Sequence, residues 1–362
     1  MTREKHPTRA TLIGGLLLSA TFSANLACKS APPAPAPATP AAAAAASAYP
    51  AIGSVERLDP ALDALVPPDA KIEKLAEGFK WAEGPVWTSE GGGALLFSDV
   101  PNNVIHRWKD GEGITDFLRP SGYTGKEPRG GNLGSNGLTF DGGHLVLCQH
   151  GDRRVARLEA DRSFATVAGT LDGKRFNSPN DVVVRSNGDL YFTDPAYGFE
   201  GAPPSAKHEL AYSGVFRRKP DGKVTLLTKD LTFPNGIAFS PDEKTLYVSN
   251  SDPERAIWMA YDVKADGTLA KGRLFFDATD EVKAGKKGLP DGMKVDAHGN
   301  VFGGGPGGVL VFSPAGKHLG TIVTTEPTAN VAFGDDGSVL YMTAHDKLCR
   351  IRLTTRAAVL PH

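Results

Sequence analysis

The stretch LPDGMKVDAHGNVF, residues 289–302, reads as two short strands around a turn, with one charge out of place. Met293 and Val295 alternate as in a half-buried strand, residues 296–300 are turn formers, and Val301 with Phe302 start a second strand. Asp291 stands at the mouth of the first strand, where a carboxylate has to be solvated or paired.

Outward from this stretch, the turn-plus-strand unit recurs. It appears as GGGALLFSD from Gly91, DGGHLVLCQ from Asp141, SNGDLYFTD from Ser186, DEKTLYVSN from Asp242, AHGNVFGGG from Ala297 and DDGSVLYMT from Asp335. Successive copies start 50, 45, 56, 55 and 38 residues apart, a period that suits one four-stranded blade per repeat. A second unit precedes each turn: AEGPVW with Glu83, SNGLTF with Asn136, PNDVVV with Asn180, PNGIAF with Asn235, PDGMKV with Asp291 and TANVAF with Asn330. Each copy sets an amide or a carboxylate immediately before a short apolar strand. Innermost propeller strands begin near one end of a central channel, so six such side chains make one polar ring.

The predicted fold is therefore all-β, a six-bladed propeller with a metal site in its channel. VIHRWK, RRVARLE, GVFRRK, IWMAYDV and GVLVFS supply second or third strands, while KIEKLAEG from Lys71 and the late strand KLCRIRL share a blade and close the ring. Closure removes the edges an open sheet would expose. A two-layer sandwich does not account for six repeats of this period. Glu83 and Asp291, joined by asparagine carbonyls, form an all-oxygen, net-negative set of the kind hard cations prefer. Without a cation the two acids repel and one takes a proton. The competing reading is that these are strand-entry turn residues bonded to their own backbone.

WAEGPVW, NSPNDVVV, FPNGIAFSPD and LPDGMKVDAHGN, in this order, resemble the senescence-marker-protein/gluconolactonase/luciferin-regenerating-enzyme-like family of six-bladed propellers. The resemblance covers residues 72–353. It implies one divalent metal, Ca²⁺ first, with Mg²⁺, Mn²⁺ or Zn²⁺ as substitutes. The implied ligands are Glu83, Asn235 and Asp291, with Asn180 on the metal or the substrate, and Asp291 is the implied acid/base residue. A cation would polarise a lactone carbonyl while Asp291 orients or deprotonates water, with Asn180 and Asn136 positioning the substrate. In the mammalian branch an arginine contacts substrate two residues before the matching asparagine; here that place is Ser178, with Arg175 nearby but not equivalent. NSPND and CQHGDRR look like the bacterial branch. In CQHGDRR, His150, Arg153 and Arg154 either line the channel mouth, with His150 on the substrate, or form a polar turn. Residues 194–214 form a longer polar insertion, either a surface loop or a binding element offering Tyr197, Phe199 and His208.

The 362 residues are 40% hydrophobic and 22% charged, enough for a large core. A formal charge of −1 and no basic run with interleaved aromatics exclude a nucleic-acid partner from the expectations. Residues 1–27 carry Arg3, Lys5 and Arg9 ahead of the apolar ATLIGGLLLSATFSANLA, a signal-peptide pattern. Its loss removes three bases and Glu4 and takes the charge to −3. Cys28 after NLA resembles the lipobox of bacterial lipoproteins, although Asn25 stands where a branched aliphatic residue is preferred. Residues 28–55, rich in Pro and Ala, read as a tether to a folded domain at 56–362. The expectation is export to the periplasm or cell envelope, with the membrane reached only through an anchor at Cys28; a cleaved signal with a plain tail is the alternative. Cys148 and Cys349 sit in apolar runs, as buried thiols or a disulfide.

GGGPGG, residues 303–308, contains G-x-G-x-x-G but leads into a strand, so no helix N-terminus is there to hold a pyrophosphate. No H-E-x-x-H, P-loop or G-x-S-x-G element occurs. The expected activity is metal-dependent opening of the ring ester of a sugar lactone. Two rivals remain: a metal-dependent esterase or lactonase on non-sugar substrates, and a non-catalytic propeller that binds a ligand at the envelope.

Overall fold

The computed structural model describes residues 48–127, 129–200 and 207–358. The leader, Cys28, most of the Pro/Ala segment and residues 201–206 of the insertion lie outside them. Among the described residues, six antiparallel sheets of four or five strands follow one another in the order the repeats predict, and a two-stranded hairpin pairs Thr170–Leu171 with Lys174–Arg175. The inner strands of blades 1 to 6 are Ala82–Thr88, Ser135–Asp141, Val182–Val184, Pro234–Phe239, Met293–Val295 and Thr328–Gly334. The second strands, from Ala94–Asp99 to Val339–Ala344, are the six turn-led segments. Blade 6 is closed by Ile72–Glu77 pairing with Lys347–Arg352, so the two ends of the domain share a sheet.

The sheets extend further toward the N-terminus than a boundary at residue 56 allows. Ala51–Ile52 pairs with Ile72–Glu77, and Ser54–Arg57 pairs with His318–Val323, giving blades 5 and 6 a fifth, outer strand. A short helix, Thr279–Lys283, precedes blade 5. Among the described residues no helix is long and apolar enough to cross a membrane.

Period-2 alternation sends apolar side chains to both faces of each sheet, and the core consists of the layers between blades. Aromatic pairs span four of these gaps: Tyr191 and Phe239 at 4.9 Å, Trp258 and Phe312 at 5.1 Å, Phe302 and Phe333 at 5.7 Å, Trp87 and Tyr341 at 5.3 Å between ring centroids. Buried aliphatics fill the other two, Leu96 and Ile105 against Leu138, and Val146 with Cys148 against Phe192. Cys148 and Cys349 are both buried and free, which rules out the disulfide.

At the channel end, the register of four inner strands shifts by one residue. In blades 2 and 4 the extra residue falls in an Asn-Gly pair, Asn136-Gly137 and Asn235-Gly236, opposite a single residue of the next strand. A bulge bends its strand and re-aims the side chain. Here it turns ring residues out of the blade plane. Glycine beside a ring residue lets the neighbouring blade approach: a Cβ on Gly84, at φ +50°, would sit 1.9 Å from the Asn136 carbonyl oxygen. One on Gly292 would lie 1.9 Å from the Asn330 side chain. Gly142 has a similar φ of +56° with nothing within 4 Å. Gly84→Ala is therefore expected to lower the free energy of unfolding by about 2 kcal/mol more than Gly142→Ala, as an overpacking cost added to the same backbone strain. Equal losses in denaturant titrations would show that the close approach of blades 1 and 2 is not needed.

Candidate functional site

Glu83, Asn136, Asn180, Asn235 and Asp291 line one cavity of about 530 Å³ at the channel mouth, and His150 shares its wall. Glu83, Asn136, Asn180, Asn235 and His150 are all at most 5% exposed. The sixth ring residue differs. The Asn330 Nδ2 donates to Glu83 Oε2 at 3.3 Å and its Oδ1 accepts from the Val331 N–H, so its amide buttresses Glu83 rather than facing the cavity.

Three of the loops leading into inner strands are held by a side chain of the strand beside them. Asp99 accepts from the backbone N–H groups of Lys80 and Trp81, Asp194 from those of Asn177 and Ser178, and the Asn250 Oδ1 from that of Phe233. These bonds fix the residues that precede Glu83, Asn180 and Asn235. The orientation of Asn235 follows from a hydroxyl. Ser251 Oγ gives its single proton to the Pro290 carbonyl at 2.6 Å and so must accept from Asn235 Nδ2 at 3.0 Å, which turns the Asn235 Oδ1 the other way. The Asn136 Oδ1 is buried with no partner within the protein.

The acids are held out of their ordinary range. Burial, and then the neighbouring Asp181, push Glu83 up to about 7. Burial and the charge of Glu83 push Asp291 well above the usual carboxylate range. Asp181, whose Oδ1 and Oδ2 accept from the N–H groups of Val182 and Ile237, lies behind the ring and is also raised by burial, against the pull of Lys294. The pattern reading gave Asp181 no role, although it follows Asn180 in PNDVVV. Ionised, Glu83, Asp181 and Asp291 carry three negative charges; Lys294, whose ammonium donates to the Met293 carbonyl, attracts Glu83 and Asp181 and leaves two uncompensated. Among the described residues no three His, Cys, Asp or Glu side chains gather as a ligand cluster. The donors are mixed: the carboxylates of Glu83 and Asp291, the turned amide oxygen of Asn235, and the amide of Asn180 beside them. That set fits one hard divalent cation in charge and in atom type.

The CQHGDRR alternatives divide. His150 is on the cavity wall, whereas Arg154 bonds Gln149 and Thr166, and Arg153 bonds the Phe176 carbonyl and Glu209 and covers the Phe199 ring. The insertion divides likewise. Tyr197 lines the cavity, while Phe199 stacks on His208 and His208 bonds Asn177. Arg175 is exposed and donates to the Asp152 carbonyl, and Ser178 bonds Pro195 and Gly198.

Residues 81–346 match the family model described as the SMP-30/Gluconolactonase/LRE-like region. A gluconolactonase of Zymomonas mobilis is 38% identical over 311 residues, 84% of this chain and 87% of that one. A pentonolactonase of Haloferax volcanii is 30% identical over 72% of this chain and 80% of its own. The solved gluconolactonase of Xanthomonas campestris superposes with a TM-score of 0.72 at 32% identity, covering 84% of this chain and 97% of that one.

The raised carboxyls give a pH test. Glu83, Asp181, Asp194 and Asp291 keep protons in the folded state that the unfolded chain has already released. The folded state therefore binds more protons, and stability falls as pH rises through about 7. His150, pushed down to about 3 by burial, acts with the opposite sign only below the ordinary histidine range of about 6.5. In a chelator the melting temperature should thus fall between pH 6.5 and 8, and a divalent cation at pH 8 should restore it. A chelated protein that becomes more stable over that interval would contradict the buried, unpaired acids.

Proposed function

The chain belongs to the SMP-30/gluconolactonase/LRE-like family, and from that premise we infer that its channel site opens the ring ester of a sugar lactone with one divalent cation. The observation that carries the reading is the convergence of Glu83, Asn180, Asn235 and Asp291 on one cavity. Glu83, Asn235 and Asp291 would hold the cation, with Asn180 on the cation or the substrate. Ca²⁺ suits them best, because it accepts a loose set of oxygen ligands and leaves room for substrate. When bound, the cation polarises the lactone carbonyl and stabilises the negative charge that develops on its oxygen.

The protein does the rest. Asn180 and Asn136 orient the substrate through their amides, and the Asn136 Oδ1 is open to a hydroxyl donor. Asp291 accepts the proton of the attacking water and returns it to the ring oxygen as the ester bond breaks. Burial serves this step, because a carboxylate raised above its ordinary range is a stronger base. Water attacks the carbonyl carbon, the bond from that carbon to the ring oxygen breaks, and the product is the open hydroxy acid. The signal pattern and Cys28 support a place in the cell envelope with a lipid anchor.

Two measurements test these assignments. On glucono-δ-lactone, acid release above the spontaneous rate should need a divalent cation and fall by about 10²-fold or more in Asp291→Asn, the usual worth of a general base. Turnover that survives both Asp291→Ala and a chelator sinks the mechanism. In cell fractionation, Cys28→Ser should move the protein from the membrane to the soluble fraction; an unchanged distribution removes the anchor.

A further inference from the structure

Three polar groups on the cavity wall have no part in holding a cation or moving the water proton. His150 is 1% exposed and neither ring nitrogen has a partner. The Tyr197 hydroxyl is unpartnered and faces Ser251, Asn235 and Asp291. The Asn136 Oδ1 is the third. Buried polar atoms without partners are costly, and here all three belong to residues that line the same cavity. The lining also includes apolar side chains. Trp81, Val100, Leu289 and Pro327 make an apolar face, with the Trp81 ring braced edge-on against His345 at 5.3 Å. A sugar ring has the matching construction, with an apolar face of C–H groups and a rim of hydroxyls.

The two segments that carry His150 and Tyr197 are fastened together. One guanidinium, that of Arg129, donates to the Gly151 carbonyl at 2.7 Å and to the Gly198 carbonyl at 2.8 Å, next to His150 and Tyr197 respectively. Ser178 holds the second segment from the other side, donating to the Pro195 carbonyl and accepting from the Gly198 N–H. Ser178 thereby secures the segment of Tyr197 and is not itself among the residues lining the cavity.

We propose that His150, Tyr197 and Asn136 form a hydroxyl-reading wall that selects polyhydroxylated lactones over lactones with an unsubstituted ring. The imidazole offers one donor and one acceptor, the phenol both, and the amide oxygen an acceptor, so each can exchange hydrogen bonds with an alcohol. Discrimination arises because an unsubstituted ring leaves these groups unpaired. Burial, aided by Arg129, keeps the imidazole uncharged at neutral pH, so the wall carries no charge of its own. The proposal rests on the lactonase reading, and its test separates the two.

The full chain, with Ca²⁺ supplied, is assayed for kcat/KM on glucono-δ-lactone and on δ-valerolactone, and is titrated calorimetrically with D-glucitol. In Tyr197→Phe, which removes only the hydroxyl, and in His150→Leu, the ratio of the two kcat/KM values should fall by about 10-fold or more, carried by KM on the sugar lactone, with weaker D-glucitol binding in parallel. A ratio held within about twofold in both variants overturns the wall while leaving the lactonase reading intact. If the wild type opens neither lactone, the lactonase reading fails, and the titration decides alone: weaker D-glucitol binding in Tyr197→Phe supports the wall, and equal or absent binding overturns it.

Discussion

The structure depends on a belt of hydrogen bonds that ties each blade to the next around the channel. Ser98 Oγ donates to the Asn136 carbonyl, the Gly137 N–H to the Asn180 carbonyl, and Thr193 Oγ1 to the Asn235 carbonyl. Ser251 Oγ donates to the Pro290 carbonyl, the Gly292 N–H to that of Ala329, and the Asn330 amide to the Glu83 carboxylate. Every gap between blades is bridged at or beside a ring residue. The polar ring is thus a by-product of closure, since the backbone that must be matched across each gap also carries the side chains that point into the channel. The gap between blades 6 and 1 is bridged by an acid. A bond to an ionised acceptor is stronger than one to a neutral carbonyl, so the charge on Glu83 bears on both the site and the closing of the propeller.

That belt explains how much of the fold was legible. All six inner strands have an amide or carboxylate side chain at the mouth, and four of the six ring residues are followed by glycine because the next blade comes too near for a Cβ. The pattern is local and repeats, so a reading of 362 letters finds it. It breaks at Asn180-Asp181 and Asn330-Val331, and at both places a side chain replaces the missing close approach. Asp181 reaches the Ile237 N–H of blade 4, and Asn330 reaches Glu83 of blade 1. Those partners lie 56 and 247 residues away, which is why no spacing argument separates Asp181 from an ordinary turn residue or Asn330 from its five counterparts.

The upper wall of the site was legible as a set of candidates but not as a selection among them. CQHGDRR offers three side chains of similar chemistry within five residues, and only His150 reaches the cavity. Arg153, at a φ of +59°, turns back to bond the Phe176 carbonyl and clamp Phe199. In the insertion, Tyr197 and Phe199 are separated by a single glycine in a tight turn and end on opposite sides of it. Which of them faces substrate is decided by Arg129 and Ser178, residues with no motif of their own. The early strands at 51–57 were hidden for another reason: their Pro/Ala-rich neighbours mask a short alternation that matters only beside an outer edge already built.

The acid at the mouth of the 289–302 stretch answers to two opposing demands. A carboxylate that holds a cation loses basicity, because the positive charge favours its ionised form; a general base needs the reverse. Burial without a countercharge supplies the reverse. Burial and the Glu83 charge outweigh what stabilises the Asp291 carboxylate: the N–H of Gly292 on Oδ1, which is shared with the Ala329 carbonyl, and the Asn235 amide. Lys294, three residues on, compensates Glu83 and Asp181 instead. With the Lys294 charge directed to its neighbours, burial raises Asp291, and in the proposed mechanism this offsets part of the fall that a bound cation would impose. On the proposed reading, holding the metal and moving the proton in one residue both rest on the buried position that the strand mouth imposes.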